Sequence, residues 1–228
     1  MSAKRIIMDQ VFQSGLIPVI RTNDKNRAMA IAEAVFNGGL PTIELTMVVP
    51  GVLDAIKELN NLFGDKAVIG VGTVLDAETA RMAILAGAQF IVAPTIDSET
   101  VKVCHRYAKP VIPGAMTPTE ILKAWECGSD VVKLFPADLI GGPEFIKAVK
   151  GPLDAVELMP SGGVTMETAE GYIKAGARVL SVGGGLVSKK IMESKDYKGL
   201  TQKTELFLSL IRSVREKINA NQNNLKEE

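Results

Sequence analysis

Short apolar runs alternate with longer segments of helical period along the whole chain, and this alternation is the feature that most restricts its fold. Eight runs have the length and composition of buried strands: residues 16–20, 42–45, 67–71, 90–93, 111–113, 131–135, 156–159 and 179–182. The apolar residues between them recur with the period of amphipathic helices, over residues 26–36, 52–63, 77–86, 98–107, 119–127 and 166–175. Strands that alternate with helices predict a parallel sheet.

Such a sheet either closes into a barrel or stays open with helices on both faces. An open sheet that binds a dinucleotide carries a glycine-rich turn after its first strand, whereas residues 22–24 here are Thr-Asn-Asp. We therefore expect an α/β fold, a single-domain (β/α)8 TIM barrel over residues 1–228. An extra N-terminal helix at residues 3–13 should cap the bottom of the barrel, and residues 221–228 should form a polar, frayed tail.

The charge balance restricts the class of partner. Lysine and arginine together number 26, as do aspartate and glutamate, so the formal net charge is zero. A neutral chain has no basic surface of the kind that binds nucleic acid or an anionic membrane. No apolar run is long enough to span a bilayer. We expect a small-molecule partner.

Cysteine and histidine restrict the chemistry further. Cys104 and Cys127 lie in helix-like segments without metal-type pairing, and charged residues interrupt the N-terminal apolar residues, so no secretory signal is expected and a cytoplasmic location fits best. His105 is the only histidine, which rules out a multi-histidine metal site. We interpret it as a helix-surface residue, and we expect no metal.

Lys133 stands inside the apolar run Val-Val-Lys-Leu-Phe-Pro at residues 131–136. An amine held among apolar neighbours loses hydration of its charged form, so its pKa falls and a neutral, nucleophilic fraction exists near pH 7. That amine is suited to Schiff-base chemistry on a carbonyl substrate. Alternatively, Lys133 extends from a strand end into water and has no chemical role.

Glu44 is the corresponding acidic residue, since it lies between Ile43 and Leu45 in the second predicted strand. It could simply pair with a cation for stability. Together with Lys133 it suits acid–base catalysis, because forming and dehydrating a carbinolamine each move a proton.

Glycine clusters follow the last two predicted strands, at residues 162–163 and 183–185. Exposed backbone N–H groups beside a helix N-terminus bind anions, and the loops after strands seven and eight hold phosphate in many barrels. Glycines there could instead serve only to make tight turns.

These residues resemble the 2-keto-3-deoxy-6-phosphogluconate (KDPG) aldolases, class I enzymes also active on 4-hydroxy-2-oxoglutarate. The resemblance runs from about residue 15 to 188 in the family's order and spacing. It rests on residues 17–20 (Ile-Pro-Val-Ile), 43–46 (Ile-Glu-Leu-Thr), 70–73 (Gly-Val-Gly-Thr), 93–94 (Ala-Pro), 112–114 (Ile-Pro-Gly), 132–136 (Val-Lys-Leu-Phe-Pro) and 159–163 (Met-Pro-Ser-Gly-Gly).

The resemblance implies a role for each matching residue. Lys133 would form the Schiff base, Glu44 would be the general acid and base, and Thr73 would contact the pyruvyl carboxylate. The remaining substrate-binding positions would be Pro94, Phe135, Ser161, Gly162, Gly163, Gly184 and Gly185. It also implies a homotrimer and chemistry that requires no cofactor.

Three positions depart from the family pattern. Val48 stands where many members carry an arginine for the substrate carboxylate, and Arg21, at the end of the first strand, is the candidate to replace it. The related 2-keto-3-deoxy-6-phosphogalactonate aldolases show the same arrangement. Ser161 stands where threonine is common, and Gly185 where a phosphate-binding serine is frequent.

The first interpretation is therefore a lyase that releases pyruvate from KDPG or from 4-hydroxy-2-oxoglutarate, with the phosphogalactonate epimer as an alternative substrate. The second is a phosphosugar isomerase or epimerase on the same barrel, in which Lys133 acts only electrostatically. The third is a catalytically silent barrel that binds sugar phosphates. Borohydride distinguishes the first from the others, because only an imine is reduced to a stable adduct.

Overall fold

The computed structural model describes residues 2–227. The strands are β1 (Leu16–Ile20), β2 (Thr42–Thr46), β3 (Val68–Gly72), β4 (Phe90–Val92), β5 (Val111–Ile112), β6 (Gly114–Ala115), β7 (Val132–Leu134), β8 (Leu158–Pro160) and β9 (Leu180–Val182). The helices are α1 (Ala3–Ser14), α2 (Lys25–Asn37), α3 (Val52–Phe63), α4 (Ala77–Leu85), α5 (Ser98–Arg106), α6 (Pro118–Glu126), α7 (Gly142–Lys150), α8 (Met166–Lys174), α9 (Lys189–Ser194) and α10 (Tyr197–Glu227), with a short 3-10 turn at Gly64–Lys66.

The parallel strands close into a barrel. Hydrogen bonding runs in the order β5-β4-β3-β2-β1-β9 on one side and β6-β7-β8 on the other. Only Pro113, which has no backbone N–H, separates β5 from β6, so these two short strands share the fifth position of the barrel. At the other junction Ser161 bridges Ser181, and the Arg178 amide donates to the Leu158 carbonyl oxygen at 2.9 Å. The expected (β/α)8 barrel is confirmed.

Side chains alternate between the barrel interior and the layer beneath the helices. In β7, Val132 and Leu134 belong to the large core beneath the helices, whereas Val131 packs with the inner cluster. The interior cluster also contains residues of other strands, such as Ile17, Val68, Phe90, Ile112, Met159 and Val179. Lys133 therefore points inward, like Val131 two residues before it.

The extra N-terminal helix is confirmed as α1, and Ile7, Met8 and Val11 on one of its faces pack onto the interior cluster. Those residues are spaced as one face of a helix requires. Since α1 immediately precedes β1, it closes the barrel at the amino-terminal ends of the strands. The carboxyl-terminal ends remain the open mouth.

The C-terminal segment is helical, and fraying of residues 221–228 stays a prediction. The helix α10 runs from Tyr197 to Glu227, through the polar residues 221–227. Its first half packs against α2 and α8 and buries Leu200, Phe207 and Ile211. No glycine or proline follows Gly199, so nothing in the sequence stops the helix once this packing has nucleated it. Among the described residues, no helix is both long and apolar enough to cross a membrane.

Candidate functional site

Lys133 and Glu44 lie in the middle of strands on opposite sides of the barrel, β7 and β2. Both side chains are removed from water, with Lys133 6% exposed and Glu44 fully buried. Because both point inward, they approach each other across the interior, and each alters the pKa of the other. The barrel thus contains a buried amine and a buried carboxyl group.

Burial is the main cause of the altered chemistry of Lys133. Loss of hydration lowers the pKa of its ammonium group below the ordinary value of 10.5, the charge of Glu44 opposes that change, and Arg21 lowers the pKa further. The Nζ atom lies 5.2 Å from the centroid of the Phe135 ring, at cation–π distance. The amine is therefore poised to lose its proton more readily than a surface lysine.

Glu44 is buried without a hydrogen bond. Neither carboxyl oxygen has a partner among the described residues. Burial raises the pKa of Glu44, against the opposing charges of Lys133 and Arg21. A buried oxygen without a partner is costly, so the group is ready to exchange a proton with a molecule that reaches it.

At the carboxyl-terminal ends of β8, β9 and β1 lies a cavity of about 500 Å³, whose lining includes Phe135 but neither Lys133 nor Glu44. The structure brings together here most of the residues that the sequence singled out for binding: Arg21, Phe135, Ser161, Gly162, Gly163, Gly184 and Gly185. The lining contains two cations, Arg21 and Lys189, and no carboxylate. Such a cavity favours an anionic ligand.

An acid at the barrel rim, such as Asp24, could pair with Arg21 and occupy its charge, but Asp24 is engaged elsewhere. Asp24 caps α2, since its side chain accepts a hydrogen bond from the Arg27 amide at 2.7 Å. Arg21 forms no salt bridge with any carboxylate in residues 2–227. Its guanidinium is exposed and available to a ligand.

Two of the predicted binding residues lie outside the cavity lining. Thr73 directly follows β3 with a left-handed backbone, φ 60°, and Pro94 lies two residues beyond the end of β4. Both are at the open end of the barrel but on the β3–β4 side, away from the glycine loops. Val48, in the turn after β2, is 53% exposed and brings no cation to the site.

The glycine loops have a packing reason as well as a possible binding role. Gly163 has φ 65°, and a Cβ atom there would overlap the side chain of Asp138. A Cβ atom on Gly185 would overlap the carbonyl oxygen of Val164. Tight packing therefore explains these glycines without a ligand, and their anion-binding role rests on their position in the cavity wall.

Several cavity residues were absent from the sequence-based prediction, among them Val19, Ser181, Lys189 and Met192. Strand alternation could have identified Ser181, which stands two residues after the inward-facing Val179. Lys189 begins the short helix α9, and nothing in the local sequence pattern distinguishes it from its neighbour Lys190.

The histidine and the two cysteines, which are common metal ligands, lie outside the cavity lining. His105 is exposed on α5, as expected, with its Nε2 atom 2.9 Å from the Gly128 carbonyl oxygen. Cys104 and Cys127 are free, and burial raises the pKa of the Cys104 thiol to about 12. Within the described part of the chain, no three His, Cys, Asp or Glu side chains are grouped as metal ligands.

Comparison with known proteins identifies relatives of the whole barrel. Residues 7–203 match the family described as KDPG and KHG aldolase. A 2-dehydro-3-deoxy-phosphogluconate aldolase of Treponema pallidum is 34% identical over 86% of this chain and 93% of its own. A 2-dehydro-3-deoxy-6-phosphogalactonate aldolase of Escherichia coli K12 is 33% identical over 87% of this chain and 95% of its own.

A solved structure shows the same similarity. The KDPG aldolase of Legionella pneumophila, with pyruvate captured as a covalent carbinolamine intermediate, superimposes with a TM-score of 0.79 at 28% identity, over 86% of this chain and 95% of its own. The chain belongs to the KDPG and KHG aldolase family, the class I aldolases that cleave carbon–carbon bonds.

Proposed function

We propose that this enzyme cleaves 2-keto-3-deoxy-6-phosphogluconate to pyruvate and glyceraldehyde 3-phosphate through an imine on Lys133. One observation carries the proposal: a buried amine with a lowered pKa shares the barrel interior with an unpartnered carboxyl group, Glu44, and the Phe135 ring next to that amine lines a cavity that also holds Arg21 and Lys189. An imine-forming lysine needs that low pKa, and the steps after attack need a proton carrier.

The chemistry follows from these two groups. The neutral amine of Lys133 attacks the C2 carbonyl, and the resulting carbinolamine loses water once its hydroxyl has been protonated. The C4 hydroxyl then gives up its proton, the C3–C4 bond breaks and its electron pair moves into the protonated imine, which becomes an enamine as the aldehyde leaves. Protonation at C3 and hydrolysis release pyruvate and the free lysine. Glu44 is the group that accepts and returns these protons.

The substrate is anionic at both ends, and the cavity offers a cation near each. Arg21 acts on the charges of both Lys133 and Glu44, so it lies on the side where the pyruvyl carboxylate would be held. Lys189 stands beside the glycine loop that follows β9 and would meet the phosphate. Thr73 and Pro94 would contact the substrate from the β3–β4 side, and Phe135 would cover the imine.

The phosphogalactonate epimer is the second candidate substrate. It is favoured by one observation, the free guanidinium of Arg21 in a site whose β2 turn carries the uncharged Val48. The two epimers differ only in the configuration at C4 and carry the same charge, so the cationic side chains of the cavity do not distinguish between them.

The decisive experiment compares kcat/KM for three substrates: the gluconate-derived and galactonate-derived phosphorylated acids and 4-hydroxy-2-oxoglutarate. We expect both phosphorylated acids to exceed 4-hydroxy-2-oxoglutarate, and the gluconate epimer to be highest. Lys189→Ala should lower kcat/KM for the phosphorylated acids roughly tenfold, the scale of one charge-assisted hydrogen bond, and leave 4-hydroxy-2-oxoglutarate unaffected. The matched control is Lys190→Ala, which removes the neighbouring cation outside the cavity. Equal turnover of all three substrates would contradict the assignment.

The proposal includes a homotrimer in the cytosol. Exposed apolar side chains stand at the open end of the barrel, in the turns after β2, β3, β6 and β7: Val48, Leu75, Met116 and Leu139. Exposed apolar side chains at one end of a barrel support a surface that another protein copy covers. Sedimentation equilibrium tests the trimer, and Leu75→Glu with Leu139→Glu should weaken it.

A further inference from the structure

Two serine hydroxyls form a buried pair inside the barrel, at the junction of β8 and β9. Ser181 is 1% exposed and Ser161 is 6% exposed. The hydroxyl of Ser181 donates a hydrogen bond to the Oγ atom of Ser161 at 3.1 Å, and the two residues also form a backbone bridge. The pair is therefore held both by its side chains and by the strands.

Both hydroxyls point toward the reaction site. Ser161 lies two residues after Met159 and Ser181 two residues after Val179, and both of those residues belong to the interior cluster. Both serines also line the cavity at the carboxyl-terminal ends of β8, β9 and β1. The Ser161 amide donates to the carbonyl oxygen of Leu134, the residue after Lys133, at 2.9 Å. Ser161 is thus fixed to the strand that carries the amine.

The single proton on each serine hydroxyl determines whether Ser161 can donate a hydrogen bond to a ligand. A serine hydroxyl has one proton to donate. Ser181 uses its proton on Ser161, so the proton of Ser161 cannot point back to Ser181. Among residues 2–227, the Ser161 hydroxyl donates no hydrogen bond, and Ser161 lines the cavity, so its proton is available to a bound ligand.

We propose that Ser181 is a positioning residue that orients the Ser161 hydroxyl as a hydrogen-bond donor to an oxygen of the bound keto acid. The proposal rests on the aldolase function proposed above. Without Ser181, the Ser161 hydroxyl can rotate, and part of its population donates elsewhere or stays unpaired. A preorganised donor is worth more than a rotating one, since no ordering is required when the substrate binds.

The test is a double-mutant cycle on kcat/KM for cleavage of the best of the three substrates. We expect Ser181→Ala to lower kcat/KM about 5- to 10-fold, the scale of one neutral hydrogen bond. In the Ser161→Ala background the same substitution should have little effect, because its target is gone. Ser181→Thr, which keeps the hydroxyl, should retain most of the activity. An equal loss in both backgrounds, or no loss with Ser161 present, would overturn the proposal.

Two control measurements distinguish a failure of the Ser181 proposal from a failure of the aldolase function. Every variant is also incubated with pyruvate and borohydride, and its melting temperature is measured. An adduct on Lys133 in all variants shows that the aldolase chemistry holds whatever Ser181 does, whereas its absence from the unmutated enzyme would contradict the function itself. Should Ser181→Ala fail to fold, Ser181→Cys takes its place in the cycle with the same expected loss, since a thiol fills the space but donates weakly.

Discussion

Gly72 leaves the space that the carboxyl group of Glu44 occupies. The two residues lie on adjacent strands, β3 and β2, and a Cβ atom on Gly72 would overlap the Oε1 atom of Glu44. The buried carboxyl group is thus accommodated by a missing side chain on the neighbouring strand. This relationship explains why a glycine with ordinary strand geometry stands in a fully buried strand.

Gly72→Ala should therefore displace Glu44. We expect turnover to fall at least tenfold, since about 1 Å of misplacement of a catalytic group has large kinetic effects. We also expect the melting temperature to drop by several degrees, because the added methyl group overpacks the barrel interior. Steady-state kinetics and a thermal melt measure both. Gly151→Ala is the control, since Gly151 lies outside the cavity and a Cβ atom there meets only the Ala148 carbonyl oxygen, at 3.3 Å, so it should leave turnover nearly unchanged.

Glu44→Gln tests whether this carboxyl group carries protons. The amide keeps the shape but cannot exchange a proton, so turnover should fall roughly 10²–10⁴-fold, the usual scale for general acid–base catalysis. Unchanged turnover per folded molecule would show that Glu44 contributes only to the stability of the barrel and not to proton transfer.

The stability of the same variant has a predicted pH dependence. Burial raises the pKa of Glu44 above its ordinary value of 4.5, so the folded state binds more protons than the unfolded state at pH values above about 4.5. The stability of the unmutated enzyme therefore falls as pH rises through that window, and Glu44→Gln lacks this loss. The melting temperature of the variant, relative to that of the unmutated enzyme, should be higher at pH 7 than at pH 4. A relative melting temperature of the variant that is higher at pH 4 than at pH 7 would contradict the raised pKa of Glu44.

The titration of Lys133 should move in opposite directions when its two charged neighbours are changed. Arg21 lowers the pKa of this amine and Glu44 raises it. Arg21→Gln should therefore shift the pH at which Lys133 becomes reactive upward, and Glu44→Gln should shift it downward. Labelling of Lys133 by acetic anhydride across pH, read by mass spectrometry, measures these apparent values, which belong to the coupled pair. Shifts in the same direction would show that the three charges are not coupled as the structure places them.

Arg21→Ala should raise the KM for pyruvate in the synthesis direction about tenfold, the low end for a hydrogen bond to a charged group because Arg21 is exposed. The imine should still form at saturating pyruvate, since Lys133 is untouched. Lys189→Ala is the matched control, because pyruvate has no phosphate and its KM should not change. An unchanged KM for pyruvate in Arg21→Ala would show that the carboxylate is bound by Thr73 and backbone amides rather than by Arg21.

The barrel and its buried ionisable pair were predictable from the sequence because both depend on local patterns. Strand and helix alternation predicts the fold, and an ionisable residue in an apolar strand, as at Lys133 and Glu44, predicts a buried functional group. The missed features depend on packing between distant segments. The helix α10 is stabilised by contacts with α2 and α8, and the place of Lys189 in the cavity wall depends on the folded path of the chain after β9.

In the proposed mechanism, Lys133 forms an imine with the keto acid. Incubation with pyruvate and borohydride, followed by peptide mass spectrometry, tests it directly. We expect one reduced pyruvyl adduct, on Lys133, and none in Lys133→Arg, whose guanidinium stays protonated and cannot form the imine. Lys189→Ala should still show the adduct. An adduct on another lysine, or a folded and active Lys133→Arg enzyme, would contradict the claim.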